Sequence, residues 1–246
     1  MNTAITINKD DIIYEGKAKY LLKTANDNEI IVYFKDDATA FNGVKKDNIA
    51  SKGILNNKIT TIIFNYLIKN GIKTHYLKTL NDREQLCRKV TIIPLEFICR
   101  NIAAGSMAKR LGVAEGTVLS RPVREISYKC DELNDPLLND DQAIALGIVK
   151  EADLNHCYEE MLKINQLLSA LFARINLILV DFKIEFGYTH DTNEIVLCDE
   201  FSPDNCRLWD KDTKQKLDKD VFRRDLGNII DTYTEILTRL EKLGEL

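Results

Sequence analysis

The segment Val180-Asp181-Phe182-Lys183-Ile184-Glu185-Phe186-Gly187 alternates apolar and ionisable residues without a break. In an extended strand successive side chains point to opposite faces, so Asp181, Lys183 and Glu185 share one face and Val180, Phe182, Ile184 and Phe186 the other. A second β-prone run follows, Ile195-Val196-Leu197-Cys198-Asp199-Glu200-Phe201. Closed as a hairpin centred on Thr192, the two runs set Glu185 directly opposite Asp199. Two facing carboxylates repel and weaken a sheet unless positive charge lies between them. A Mg2+ ion meets that need, because it takes one or two carboxylates and completes its octahedron with water and nucleotide phosphates. A Mg-ATP site is one reading of this pair. A solvated polar face, with Lys183 as an ordinary cross-strand partner, is the other.

Three further segments carry candidate groups. In Tyr14-Glu15-Gly16-Lys17-Ala18-Lys19 a glycine stands in a strand-to-strand turn and two lysines are spaced i, i+2. If this stretch is extended, both ammonium groups point the same way. A glycine turn allows close backbone approach to phosphates, and paired lysines supply point charges for them; surface lysines in a hairpin would look the same. In Arg100-Asn101-Ile102-Ala103-Ala104-Gly105-Ser106 a strand end meets a small-residue turn and a helix start. Ser106 there, with Arg100 close by, suits either an anion site or an ordinary N-cap. Phe201-Ser202-Pro203-Asp204-Asn205-Cys206-Arg207-Leu208-Trp209-Asp210 reads as a loop holding the single Trp and Arg207, a binding element on a rigid scaffold.

Composition removes several alternatives. The 246 residues carry 34 Lys+Arg against 38 Asp+Glu, a net charge of −4, which argues against a dedicated nucleic-acid binder. Apolar residues make up 45% and charged ones 29%, too apolar for disorder. Six scattered cysteines with no CxxC pair, and three distant histidines, fit thiols in a reducing cytoplasm better than a disulfide scaffold or a zinc site. No run approaches the ~18 apolar residues of a membrane span, and the first residues lack a signal-peptide pattern. Neither GxxxxGK[ST] nor GxGxxG occurs, and no Ser-His-Asp or Cys-His arrangement stands out. What remains is metal, cations and carboxylates, the apparatus of phosphoryl transfer.

The elements that must position these groups are legible in outline. Ile12–Tyr14, Tyr20–Leu22 and Ile30–Phe34 read as an antiparallel meander. Leu55, Ile59, Ile62, Ile63, Tyr66 and Leu67 lie on one face of a helix ending at Asn70-Gly71, which covers one side of that sheet. Val90–Ile98 reads as a buried strand interrupted by Pro94. Further amphipathic helices are predicted from about Asp153 to Ile175 and from about Asp220 to Leu243, the latter on Phe222, Leu226, Ile229, Ile230, Tyr233, Ile236, Leu237 and Leu240. Strands first and long helices later indicate an α+β architecture.

Taken together, YEGKAK at 14–19, FKDDATAFNG at 34–43, RNIAAGSMAKR at 100–110, YKCDELNDP at 128–136, VDFKIEFG at 180–187 and DEFSPDNCRLWD at 199–210 resemble the SAICAR synthetase family, the phosphoribosylaminoimidazole-succinocarboxamide synthases of purine biosynthesis. The similarity runs through nearly the whole chain in the expected order. It implies an ATP-dependent ligase that phosphorylates the carboxylate of 5-amino-1-(5-phosphoribosyl)imidazole-4-carboxylate (CAIR) and lets the amine of L-aspartate displace the phosphate. By the same resemblance Lys17 and Lys19 contact ATP phosphates, Lys129 the nucleotide, and Glu185 and Asp199 the Mg2+. Arg100, Ser106 and Arg207 hold the 5′-phosphate of CAIR, with Asp181 and Lys183 at its reacting end. Asn42 stands where some members have Asp, so no charged role carries over to it. The implied fold has two lobes, a β-rich, kinase small-lobe-like one over residues 1–88 and a larger ATP-grasp-like α/β one over 89–246. ATP would lie in the cleft between them. A cytoplasmic homodimer is the implied assembly. On the residues alone two other functions stay open, a small-molecule kinase with the same Mg-ATP apparatus and a nucleotide-binding regulatory module without turnover.

Overall fold

The β-branched and aromatic runs of the N-terminal third pair as the sequence predicts. In the computed structural model, which describes residues 8–40 and 45–244, β1 (Ile12–Glu15), β2 (Lys19–Lys23) and β3 (Glu29–Phe34) form the meander. Asn42 lies outside the described residues. β4 (Asp37–Ala40) and β5 (Lys45–Asn48) pair as a ribbon, and α1 (Lys52–Lys69) precedes β6 (Tyr76–Thr79) and β7 (Glu84–Arg88). The first sheet runs β1-β2-β3-β7-β6 and is antiparallel throughout. Helix α1 starts without a side-chain cap from Ser51; the Asp36 carboxylate, held by Arg83, accepts from the Gly53 amide at 2.9 Å instead. Its buried face carries Leu55, Ile59, Ile63, Phe64 and Leu67, and the chain leaves at Asn70 and Gly71, as expected.

The second sheet is built around one long strand. After β8 (Val90–Ile92) and β9 (Leu95–Ile102), split at Pro94, come α2 (Gly105–Leu111), β10 (Val118–Tyr128), β11 (Leu137–Leu138) and α3 (Asp140–Ala145). α4 (Glu151–Arg174) leads into β12 (Leu177–Thr189), β13 (Ile195–Cys198) and β14 (Cys206–Asp210), and α5 (Asp220–Arg223) and α6 (Ile229–Glu241) close the chain. The sheet order is β11-β10-β9-β12-β13, with β14 and β8 also on β12. Helix α4 lays Leu154, Met161, Ile164, Leu168, Leu171 and Phe172 into the core, each contributing roughly 1.5–3 kcal/mol of burial. That core is continuous from α1 through Phe97, Phe182 and Phe186 to Tyr233 on α6. The architecture is a mixed α+β fold with antiparallel sheets.

Three expectations change. The hairpin register is displaced by one residue: Glu185 pairs with Cys198, and Asp199 lies just past the end of β13. The stretch 201–210 is not all loop, because Cys206–Asp210 pairs with β12 as β14. The final helix is two helices. Leu226 extends the apolar spacing but is 54% exposed, Asp225 and Gly227 take positive φ, and the Asn228 side chain restarts the helix by accepting from the Ile230 amide at 2.8 Å.

The turn after β14 carries a pH-dependent contribution. Asp210 accepts from the Thr213 amide at 3.0 Å and from Arg239 at 2.9 Å, and these bonds hold its carboxyl down at about 2. A depressed folded-state value means stability that is present above the unfolded carboxylate range of about 4 and lost as pH falls towards 2. Asp210→Asn is therefore expected to be less stable than wild type in denaturant melts at pH 6, and the gap is expected to narrow between pH 4 and pH 2. A gap that is constant with pH would contradict the assignment.

Candidate active site

Asp181 occupies the centre of the second sheet and is met from both sides. β9 places Arg100 opposite it and β14 places Arg207 opposite it, so two guanidinium groups flank one carboxylate. Arg100 Nη1 donates to Asp181 at 2.9 Å and Arg207 Nη1 at 2.9 and 3.1 Å. Arg100 also donates to Glu125 at 2.6 Å and to Ser106 Oγ at 3.2 Å, and Arg207 to Asp220 at 3.1 Å. Burial would weaken the charge on Arg207, but Asp181 and Asp220 outweigh it and keep the group cationic. Arg100, Ser106 and Arg207, the three residues read as phosphate-binding, thus come together at the start of α2. Ser106 is not the cap, because Ala104 holds that position and caps nothing with its side chain.

Gly105 makes this convergence possible. Its φ is +52°, and a Cβ added there would stand 2.3 Å from Arg207 Nη2. Gly105→Ala is expected to cost about 1–2 kcal/mol from the left-handed backbone alone, read in denaturant unfolding. It should also push Arg207 aside and weaken a phosphorylated ligand; unchanged stability together with unchanged binding would contradict this.

Two residues further along the same face, a denser charge cluster begins. Lys183 donates to Glu96 at 2.8 Å and to Glu185 at 3.2 Å, and Lys129 donates to Glu185 at 2.6 Å. Lys19 reaches across from β2 to pair with Asp199, with Glu200 3.5 Å from the same ammonium group. Although Glu185 and Asp199 are not cross-strand partners, Lys129 and Lys183 feel both charges. Burial would raise the Asp199 carboxyl, yet Lys19, Lys183 and Lys129 hold it well below the usual range. Burial raises Glu200, with Lys19 countering it only in part, and Glu200 Oε2 is buried with no hydrogen-bond partner. Burial would likewise lower Lys19 and Lys183, and the carboxylates more than reverse it.

The donor set suits a metal that arrives with its own ligands. Four carboxylates, Glu96, Glu185, Asp199 and Glu200, face three ammonium groups. Among the described residues no three His, Cys, Asp or Glu converge as a complete cage. Mg2+ is commonly bound by one or two carboxylates plus substrate phosphates and water, and a cleft of carboxylates in which Glu200 Oε2 has only a 3.5 Å ionic contact and no hydrogen bond fits that pattern.

Of the expected residues, Lys17 stands apart. It lies in the turn closed by the Gly16 amide on the Lys19 carbonyl and pairs with exposed Asp131 at 2.7 Å, whereas Lys19 pairs with Asp199. Asp181, expected at a reacting end, sits between Arg100 and Arg207, whereas Lys183 sits with the carboxylates.

Sequence reading missed a buried hub behind the site. Lys52, 0% exposed at the start of α1, donates to Asp204 at 2.5 Å, and Tyr233 on α6 donates to the other carboxylate oxygen at 2.5 Å. These bonds pin the 201–205 loop between Asp199 and Arg207. The signal was a lysine on the apolar face of a helix, at 52 ahead of Leu55 and Ile59. Glu96, the only charged residue between Val90 and Cys99, was a similar signal.

Known proteins resemble this chain along nearly its whole length. A family model described as SAICAR synthetase matches residues 12–240. The phosphoribosylaminoimidazole-succinocarboxamide synthase of Dichelobacter nodosus is 61% identical over 235 residues, 96% of this chain and 98% of that protein. The crystal structure of the synthase from Ehrlichia chaffeensis superposes with a TM-score of 0.92 at 46% identity, covering 94% of this chain and 98% of that one. A SAICAR synthetase solved in complex with ADP gives 0.89 at 45% identity, covering 92% and 96%. With its two charge clusters set along one strand and its match to these proteins close to end to end, the chain belongs to the SAICAR synthetase family.

Proposed function

We propose that this enzyme joins L-aspartate to CAIR with ATP, through an acyl phosphate, to give SAICAR, ADP and phosphate. The observation that carries the reading is the face of β12. Asp181, Lys183 and Glu185 follow one another at about 6.6 Å intervals, so the arginine pocket and the carboxylate–lysine cluster are about 13 Å apart along one rigid strand. A phosphorylated ribonucleotide laid on that face has its phosphate at Arg100, Ser106 and Arg207 and its ring carboxylate beside Lys183. Family membership supports the two substrates, and the ADP complex of a 45% identical relative supports ATP as co-substrate.

In this reading the two substrates exchange ion pairs with the enzyme. Lys19, Lys17 and Lys129, now held by Asp199, Asp131 and Glu185, turn to the ATP phosphates. Glu185 and Asp199, released from those lysines, would hold Mg2+, whose chemistry is to neutralise charge on the β- and γ-phosphates. Asp181 fixes both guanidinium groups, and Lys183 steadies the CAIR carboxylate for in-line attack on the γ-phosphorus. A carboxylate oxygen forms the new P–O bond as the bond to ADP breaks. The aspartate amine then attacks the acyl carbon, the bond from that carbon to the phosphate oxygen breaks, and the proton shed by the nitrogen leaves with the phosphate. No enzyme nucleophile is required.

Residues 1–88 and 89–246 act here as two lobes, kinase-like and ATP-grasp-like, with ATP between them; Lys19 on the first sheet pairing with Asp199 beyond the second supports a shared cleft. The six free thiols support a reducing cytoplasm, and a homodimer follows the family. No helix of the described residues is long and apolar enough to cross a membrane. The reading is tested by supplying Mg-ATP and CAIR with and without L-aspartate while following ADP and the succinocarboxamide. One ADP per product, only with aspartate, is the expected result. Aspartate-independent turnover would indicate a kinase instead, and ATP binding with no turnover a regulatory module.

A further inference from the structure

We propose that His75 is a positioning residue for Asp199, holding the backbone of that residue so that its carboxylate faces the nucleotide cleft. The proposal rests on the reading of Asp199 given above. Asp199 sits one residue past β13 with φ of +67°, a left-handed conformation that is uncommon outside glycine but open to Asp, so the aim of its carboxylate depends on what holds the turned backbone. The holding group is visible. His75 Nε2 lies 3.1 Å from the Asp199 carbonyl oxygen. A carbonyl only accepts, so Nε2 carries the hydrogen and donates.

The imidazole is itself locked. His75 is buried, and its ring packs edge-on against Phe64, 5.9 Å between centroids. The backbone around it is stitched to β13: the Leu197 amide donates to the Lys73 carbonyl at 2.9 Å and the His75 amide to the Leu197 carbonyl at 2.8 Å. The Arg88 amide donates to the His75 carbonyl at 2.7 Å. Residues 73–75 thus grip 197 by main chain and 199 by side chain, and the side-chain bond is the one at the turned residue. Partners that orient a metal-binding carboxylate commonly matter 10–100-fold to affinity or activity.

The test compares His75→Phe, which keeps the ring and loses the donor, with His75→Gln, whose amide nitrogen reaches the position of Nε2. ADP is titrated calorimetrically with excess Mg2+ and again with EDTA, and kcat and the KM for CAIR are measured alongside. The proposal predicts that His75→Phe loses at least about tenfold of the Mg2+-dependent part of ADP affinity and of kcat. Metal-free ADP binding and the KM for CAIR should stay near wild type, and His75→Gln should restore most of the loss. If Phe matches wild type, or if Phe and Gln are equally impaired, while Asp199→Asn loses the Mg2+ dependence, His75 does not position Asp199. If Asp199→Asn keeps full Mg2+-dependent ADP binding, the reading of Asp199 itself fails and the proposal goes with it.

Discussion

Asp199→Asn is expected to lose Mg2+-dependent turnover by about two to three orders of magnitude or more, the size seen when one group that stabilises transition-state charge is removed. The fold should survive. Asp199 lies outside the strand, its side chain is 25% exposed, and Asn tolerates a positive φ as well as Asp does. Losing a charge that three lysines hold ionised takes some stability, limited because Lys19 keeps Glu200 nearby. The variant should therefore stay folded, with a cooperative though earlier denaturant transition, while kcat collapses across the whole Mg2+ titration. A kcat within a few-fold of wild type would remove Asp199 from the metal site.

Asp181→Asn should fail differently, in stability and substrate binding together. Asp181 is 3% exposed and stands between two arginines. Removing its charge leaves both guanidinium groups short of a counterion in the interior, and breaking a buried pair in this way costs about 3–5 kcal/mol. Glu125 still holds Arg100 and Asp220 still holds Arg207, which places the loss near 3 kcal/mol, the low end of that range. For a chain of this size that lowers the melting temperature by roughly 6–12 °C. The KM for CAIR should rise as the arginines relax. A variant with unchanged melting temperature and unchanged KM would contradict the bridging role, and the contrast with Asp199→Asn separates the two clusters experimentally.

What could be read ahead of the structure followed from periodicity. The alternation of β12 placed Asp181, Lys183 and Glu185 on one face, and the apolar spacing of α1 and α4 located both helices to within a few residues. The one-residue slip between Glu185 and Asp199 arose in the turn, where Asp191-Thr192-Asn193 is compatible with several loop geometries and Asn193 takes a positive φ. Periodicity also failed at Leu226, where apolar spacing continues across the break between α5 and α6 in which Asp225 takes a positive φ. His75, Glu200 and Asp204 were invisible for a different reason. Their significance lies in contacts to residues far away in sequence: Lys52 left a local trace on the apolar face of α1, but nothing local marks the carbonyl, the tyrosine or the acid that folding brings alongside.

The central claim is that ATP activates the carboxylate of CAIR in this cleft. CAIR labelled in its carboxylate with a heavy oxygen isotope, turned over with Mg-ATP and L-aspartate, tests it most directly. An acyl phosphate predicts one heavy oxygen in each phosphate released, because the carboxylate oxygen that attacks the γ-phosphorus departs with it. Phosphate free of the label, with SAICAR formed, would contradict the account.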